Sequence, residues 1–120
     1  MARFGACFTE DADFVNVRGW WWRGRPEIER NHALFHETIF SDSRITLELA
    51  AFRDLVPGVA VAHVSWRMVG HEVGGPQQTA EPRIGIWSWV IQDRDGNPEI
   101  VSSHNTDTME IPASHPLASR

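Results

Sequence analysis

Apolar residues recur every three to four positions in one part of the chain and predict a helix over residues 26–40. The stripe consists of Ile28, His32, Phe35 and Ile39. Pro26 suits the first position of a helix because its φ angle is already helical and its missing N–H would have no partner there. Residues 41–43, Ser-Asp-Ser, are expected to end the helix.

Alternation of apolar and polar residues predicts five strands. They are expected over residues 13–18, from residue 44 to about 51, and over 59–68, 83–92 and 99–109. Pro57-Gly58 and Asp95-Gly96 are turn sequences, residues 70–82 are expected to form a long hairpin loop, and residues 111–120 a frayed tail. The order of strand, helix and four antiparallel strands predicts an α+β domain with the helix on one face of a curved sheet.

The predicted strand over residues 83–92 is apolar on both of its faces. Ile84, Ile86 and Val90 alternate with Trp87, Trp89 and Ile91. Because an antiparallel sheet with one solvated face normally alternates cleanly, both faces are expected to be covered, one by the helix and the other by a second copy of the chain. This hypothesis of a homodimer places Trp87 or Trp89, together with His104, near the interface.

Length and composition favour one globular domain over residues 1–120, since 42% of the residues are hydrophobic and 22% are charged. The net charge of −5 has the wrong sign for attraction to nucleic acid or anionic lipid. Apolar runs are too short for a membrane span, and the N-terminus does not have the pattern of a signal peptide. Cys7 is the only cysteine, so no disulfide is expected, and a cytoplasmic protein is predicted.

A set of short motifs makes the chain similar to a known superfamily. The motifs are Phe8 to Val17 (FTEDADFVNV), Gly19, Gly24-Arg25, Ile28, His32, Phe35, Pro57-Gly58-Val59-Ala60, Asp95-Gly96, Ile100-Val101 and His104-Asn105-Thr106. Together they resemble the SnoaL-like and ketosteroid-isomerase-like members of the nuclear-transport-factor-2-like superfamily, and the branch called SgcJ/EcaC-type most closely. Each motif alone is weak, but the combination covers the chain from Phe4 onward.

The resemblance implies a conical α+β barrel of cystatin-like topology, in which a curved antiparallel sheet wraps around helices and leaves a pocket at its open end. It also implies dimerisation through the sheet. Members of the superfamily usually begin with a long helix, for which the sequence before Phe8 is too short. The cover is expected from Trp20 to Trp22 folding inward, with a second chain or a ligand as the alternatives. Asn16 stands where ketosteroid isomerases carry their aspartate base, and an amide cannot abstract a proton. The chain also has no tyrosine.

Two asparagines are the polar candidates for the pocket. The family pattern points Asn16 and Asn105 inward, where an amide offers both donors and acceptors to a carbonyl or hydroxyl of an apolar ligand. Alternatively, they bond to each other or to loop backbone in a closed core. Trp22, Phe35 and Trp66 are expected to line the same pocket.

His32 lies on the apolar stripe of the predicted helix. It is either a neutral core histidine bonded to Asn16 or to a backbone carbonyl, or an acid/base and ligand donor in the pocket. Glu29, His32 and His36 share one side of the helix, but the metalloprotease glutamate is absent from this spacing, so no metal site is expected. The chain lacks a Gly-x-Gly-x-x-Gly fingerprint, and no cofactor is expected.

Two functions of different classes therefore remain open. The favoured hypothesis is a binding protein for a small hydrophobic or aromatic molecule, held by Asn16, Trp22, His32, Phe35, Trp66 and Asn105. The alternative is a cofactor-free isomerase, cyclase or hydrolase that acts on a polyketide- or steroid-like substrate, with His32 as its acid/base. Trp20 to Trp22 with neighbouring arginines could also stack on bases, but the acidic chain argues against a nucleic-acid partner.

Overall fold

The computed structural model describes residues 2–37, 44–69 and 83–109. Its elements in chain order are α1 (Ala2–Gly5), β1 (Phe8–Val15), β2 (Trp21–Arg23), α2 (Arg25–Glu37), β3 (Arg44–Val56), β4 (Val59–Val69), β5 (Arg83–Arg94) and β6 (Asn97–Asp107). The predicted loop over residues 70–82, the predicted tail over residues 111–120 and the last predicted helical residues, 38–40, lie outside the described residues.

The six strands form one sheet in the order β2-β1-β6-β5-β4-β3. Four of the five neighbouring pairs are antiparallel, and β1 runs parallel to β6. The antiparallel pairing predicted for the last four strands is confirmed for β3 to β6, and the parallel β1 makes the sheet mixed. The first strand also begins at Phe8 rather than at residue 13 and ends at Val15, so the expected bounds are shifted toward the N-terminus.

Two tight turns have the backbone conformations that their sequences predict. Asp95 and Gly96 both have positive φ angles, 55° and 81°, as a type I′ hairpin requires. Gly58, which follows Pro57 between β3 and β4, has φ 80°, a value suited to the third position of a type II turn. These turns set the register that places Val56 opposite Val59 and Arg94 opposite Asn97.

Helix α2 begins where the proline and acidic signals predict. The backbone N–H of Ile28 donates to the carbonyl of Gly24 at 3.1 Å, and Gly24 in turn donates to the carbonyl of Ala12 in β1 at 2.7 Å. A carboxylate oxygen of Glu27 accepts the backbone N–H of Arg23 at 3.2 Å, a reach-back contact like that of a capping box. The start of α2 is thereby tied to β1 and β2.

The sheet has an inner face, which carries Phe14, Trp87 and Ser103 and faces α2, and an outer face, which carries Ile86 and His104. The buried core lies on the inner face and consists of Phe8, Ala12, Phe14, Trp22, Ile28, Val64, Trp66 and Trp87. Trp89 packs against this core from the same face. The expectation that Trp87 or Trp89 lies at an interface on the other side of the sheet is wrong, because both alternate with Ile86 and point inward.

The helix leaves one side of the inner face uncovered. Helix α2 packs on β1, β2 and α1, at the opposite edge of the sheet from β3. On β3, Leu47 lies opposite the buried Trp66 but is 50% exposed, and Phe52 is 55% exposed. Trp22 folds inward as expected, whereas Trp20 and Trp21 are exposed, so only part of the predicted aromatic cover forms.

Candidate functional site

An aromatic cluster centred on Phe14, the aromatic floor, lies on the inner face of the sheet and consists of Phe14, Trp22 and Trp87. Trp22, brought opposite Phe14 by the β1–β2 pairing, stacks on it with ring centres 5.4 Å apart and planes 15° from parallel. Trp87 meets Phe14 edge to face at 6.0 Å. The three rings come from three different strands, so the sheet register assembles them.

His32 of α2 packs against the aromatic floor. Its Nδ1 lies 2.9 Å from the carbonyl oxygen of Ile28, one helical turn earlier. The imidazole meets Phe14 and Trp22 edge to face, at 4.7 and 5.0 Å between ring centres, and lies 4.3 Å from Phe4. Because a carbonyl only accepts, the proton of this bond is on Nδ1, and in the neutral ring Nε2 is the acceptor nitrogen.

Asn105 and Trp66 form a second polar element of the inner face. The indole N–H of Trp66 in β4 donates to Oδ1 of Asn105 in β6 at 2.6 Å, across the intervening strand β5. The bond is allowed by Gly85 of β5, since a Cβ at that position would overlap the Trp66 ring. The two residues that the sequence assigned separately to the pocket are therefore one bonded pair.

Asn16 has a different place from the one expected for a pocket amide. It follows the end of β1, and its Oδ1 accepts the backbone N–H groups of Arg18 and Trp20, each at 2.9 Å. The side chain thus closes the turn between β1 and β2, in the manner of an Asx turn. Asn16 is 9% exposed, and its side-chain oxygen already accepts hydrogen bonds within the turn.

Three polar groups that sequence analysis did not assign to the pocket lie on the inner face without hydrogen-bond partners. They are Nε1 of Trp87, Nε1 of Trp89 and Oγ of Ser103, all of them buried. Ser103 is 1% exposed and pairs with Phe14 on one side and Trp89 on the other. No signal in the sequence marks Ser103, because Ser102, Ser103 and His104 are consecutive polar residues and do not indicate which of them faces inward.

Two ion pairs border the inner face. Arg83 donates through Nε and a terminal nitrogen to Oδ1 of Asp107, at 3.2 and 2.6 Å, and its guanidinium lies 5.6 Å from the Trp66 ring centre. Arg25 contacts Glu99 at 3.4 Å and the carbonyl of Phe8. Each arginine has a carboxylate beside it, so neither pair adds net charge to the site.

The structure thus brings Trp22, His32, Trp66 and Asn105 together on the inner face and keeps Asn16 in the adjoining turn. Phe35 lies in α2, but its side chain is outside the described part, as is that of His36. Within residues 2–37, 44–69 and 83–109, no group of three or more His, Cys, Asp or Glu side chains is close enough to hold a metal ion. Among the same residues, no helix is both long and apolar enough to cross a membrane.

Of the exposed tryptophans, Trp21 alternates with Trp22 in β2 and so points away from the inner face. Trp21 donates its indole N–H to Asp13 at 2.8 Å, and the Arg23 guanidinium lies 3.7 Å from the Trp21 ring centre. Trp21 thus contacts both a carboxylate and a guanidinium. A carboxylate within the cluster does not suit the phosphate backbone of a nucleic acid.

Comparison with solved structures identifies the architecture. An uncharacterised protein with a cystatin-like fold from Caulobacter vibrioides superimposes with a TM-score of 0.79 and 29% identity, covering 90% of this chain and 75% of that one. A type 2 hexachlorocyclohexane dehydrochlorinase gives 0.76 and 12% identity over 97% of this chain and 80% of its own. An NTF-2 like protein of unknown function from Shewanella oneidensis gives 0.68 and 12% identity over 88% and 82%.

No protein-family model matches the chain, and no curated protein matches it. The structural matches therefore support the fold that the sequence resemblance implied, a cystatin-like α+β sheet of the NTF-2 like kind. They do not distinguish the SgcJ/EcaC-type branch from the rest of the superfamily.

Proposed function

We propose that this chain, which has the cystatin-like fold of the nuclear-transport-factor-2-like proteins, binds a small hydrophobic or aromatic molecule against its inner face. The observation that supports the proposal is the composition of that face. Phe14, Trp22 and Trp87 supply aromatic walls, and the polar atoms between them are few and buried. Ligand sites combine apolar walls with sparse polar groups in this way.

Access to the site is available from the β3 edge. Leu47 and Phe52 on the inner face of β3 are about half exposed, so the apolar surface continues outward from Trp66. An apolar ring can bury surface there without displacing the core. Burial of apolar area contributes about 25 cal/mol per Å², which makes this edge a favourable entrance for a hydrophobic molecule.

The test uses indane, a bicyclic hydrocarbon, as the probe. Binding at 100 times its dissociation constant should raise the free energy of unfolding by about 2.7 kcal/mol. In a ¹H–¹⁵N NMR titration, the indole signals of Trp66 and Trp87 should move while that of the exposed Trp20 stays in place. Indane that shifts only Trp20, or that leaves both stability and spectrum unchanged, would contradict an inner-face site.

An enzymatic function on the same face is the second candidate, and one observation favours it. The bond from His32 Nδ1 to Ile28 holds the ring at the aromatic floor with Nε2 as acceptor, the form that a general base needs. A dehydrochlorinase shares this fold, so the architecture accommodates chemistry as well as binding. The substrate class would be polyketide- or steroid-like, with His32 as acid/base and no cofactor.

Deuterium exchange at the carbon next to the carbonyl of 1-indanone tests this second candidate. A base at His32 should remove that proton and return a deuteron from D₂O, so exchange should exceed the buffer rate with the native chain and fall to it in His32→Gln. Glutamine can replace a hydrogen bond but does not titrate near neutrality. If exchange is unchanged in His32→Gln, or never exceeds that in buffer, His32 is not the base.

A homodimer through the outer face is part of the proposal. Ile84, Ile86 and Val90 are exposed there, Ile84 to 50%, on a face whose remaining central positions include the small polar residues Ser88 and Ser102. An apolar patch of this kind on a four-strand surface favours a self-complementary contact. A cytoplasmic location completes the proposal, supported by a sequence with a single cysteine and thus no internal disulfide.

A further inference from the structure

Three unpartnered donors are clustered on the inner face at the junction of β5 and β6. Trp89 lies directly opposite Ser103, and its ring centre is 5.6 Å from that of Trp87 on the same strand. Directly opposite residues in an antiparallel pair have Cβ atoms about 5 Å apart. Nε1 of both tryptophans and Oγ of Ser103 are inaccessible to solvent and have no hydrogen bond. A fourth atom in this condition, Thr9 Oγ1, belongs to β1.

The neighbouring acceptor does not satisfy these donors. Asn105 lies opposite Trp87, but its Oδ1 accepts the indole N–H of Trp66 instead. The Ser103 hydroxyl lies opposite Trp89 and yet the two are not bonded. Leaving one buried donor without a hydrogen-bond partner costs about 1–3 kcal/mol of folding free energy. Three such donors in one patch are therefore strongly unfavourable unless something binds them.

The chemistry of the three groups defines what would satisfy them. An indole N–H can only donate, and a hydroxyl can donate as well, so the missing component is an oxygen atom that accepts several hydrogen bonds. Both arginines that border the inner face have a carboxylate beside them, Asp107 for Arg83 and Glu99 for Arg25. Burial of a carboxylate without an unpaired cation is costly, so a neutral acceptor fits this face better than an anion.

We propose that Trp87, Trp89 and Ser103 form an acceptor-binding subsite that holds the carbonyl oxygen of a neutral ring ketone. This inference rests on the proposed function, since the ring of the ketone occupies the same aromatic surface. The carbonyl accepts from the indole N–H groups and the hydroxyl, and the ring packs against the apolar surface of the inner face. A resident water at the subsite is the competing explanation.

Matched ligands separate the subsite from the surface around it. The probes are 1-indanone and indane, which share a bicyclic carbon skeleton and differ at the carbonyl, with 1-indanecarboxylate as the anionic comparison. Calorimetric titration should show 1-indanone binding about tenfold more tightly than indane, as expected for one or two gained hydrogen bonds. The carboxylate should bind more weakly than the ketone.

Serine-to-alanine variants at two adjacent positions test the donor directly. Ser103→Ala removes the buried hydroxyl, whereas Ser102→Ala makes the same change at the next residue, on the outer face. Ser103→Ala should weaken 1-indanone about fivefold and leave indane unchanged, and Ser102→Ala should change neither. Because the hydroxyl of Ser103 has no partner in the free protein, Ser103→Ala should fold with undiminished stability.

NMR spectra of the indole N–H groups distinguish a ketone from a resident water. Addition of 1-indanone should shift the Trp87 and Trp89 signals downfield, assigned with Trp87→Phe and Trp89→Phe, and move the Trp66 signal less because that group is already bonded. Equal affinity for 1-indanone and indane would overturn the subsite while leaving the binding function intact. Failure of both probes would overturn both, and indole signals unmoved by bound ketone would assign the donors to water.

Discussion

At the scale of single residues, Asn16 shows how a polar side chain can be committed to the fold. Its Oδ1 accepts two backbone N–H groups of a partly buried turn. Asn16→Ala should lower the free energy of unfolding by about 2 kcal/mol in urea denaturation, because both donors lose their acceptor.

Asn16→Asp is the matched control for this role. A carboxylate oxygen can accept the same two N–H groups, so the aspartate variant should retain most of the stability at neutral pH. If alanine and aspartate cost the same, the turn contact is not what stabilises this position. If Asn16→Ala instead keeps its stability and loses indane binding, Asn16 acts on the ligand.

Gly85 is the residue that allows Trp66 to lie across the sheet. Gly85→Ala should cost about 2 kcal/mol of stability, since its Cβ would overlap the Trp66 ring and the Thr106 carbonyl oxygen. Gly96→Ala is the comparison: nothing lies within 4 Å, but φ is 81°. Its cost should be about 1 kcal/mol from backbone conformation alone. Equal costs in urea unfolding would contradict the close-contact explanation.

At the scale of elements, β3 is the strand whose inner face lacks cover from α2. Phe52→Ser should change the free energy of unfolding by less than about 0.5 kcal/mol, because the ring is already more than half exposed. The same variant should reduce the fluorescence of a bound hydrophobic dye. Phe14→Ala, which empties the fully buried floor, should cost about 4 kcal/mol. A large destabilisation by Phe52→Ser would show that β3 is covered in solution.

At the scale of the whole molecule, the proposed dimer buries the exposed apolar residues of the outer face. Ile86→Lys should convert dimers to monomers in light scattering at micromolar concentration, since a lysine at the centre of an apolar interface would be desolvated without a partner. Met109→Lys adds the same charge at a position that is 80% exposed and should leave the dimer intact. A native chain that is monomeric under these conditions would refute the dimer.

The amino-acid sequence by itself determined most local structure. Turn chemistry at Pro57-Gly58 and Asp95-Gly96 and the period-two pattern of the last four strands predicted the hairpins, and Pro26 with Glu27 marked the start of the helix. These signals are local, because a positive φ or a missing N–H acts within a few residues. The family resemblance then implied the cystatin-like fold that the structural matches support.

Only the tertiary structure decided which faces and partners the side chains have. The parallel pairing of β1 with β6 sets Ser103 beside Phe14, and the register of β5 turns Trp87 and Trp89 inward although the alternate face is equally apolar. Asn16 bonds within its turn, while Asn105 bonds to Trp66 from a distant strand. The hydrophobic pattern shows which residues of a strand share a face, but it does not show which face turns toward the core. That choice is set by long-range strand pairing and by where the helix packs.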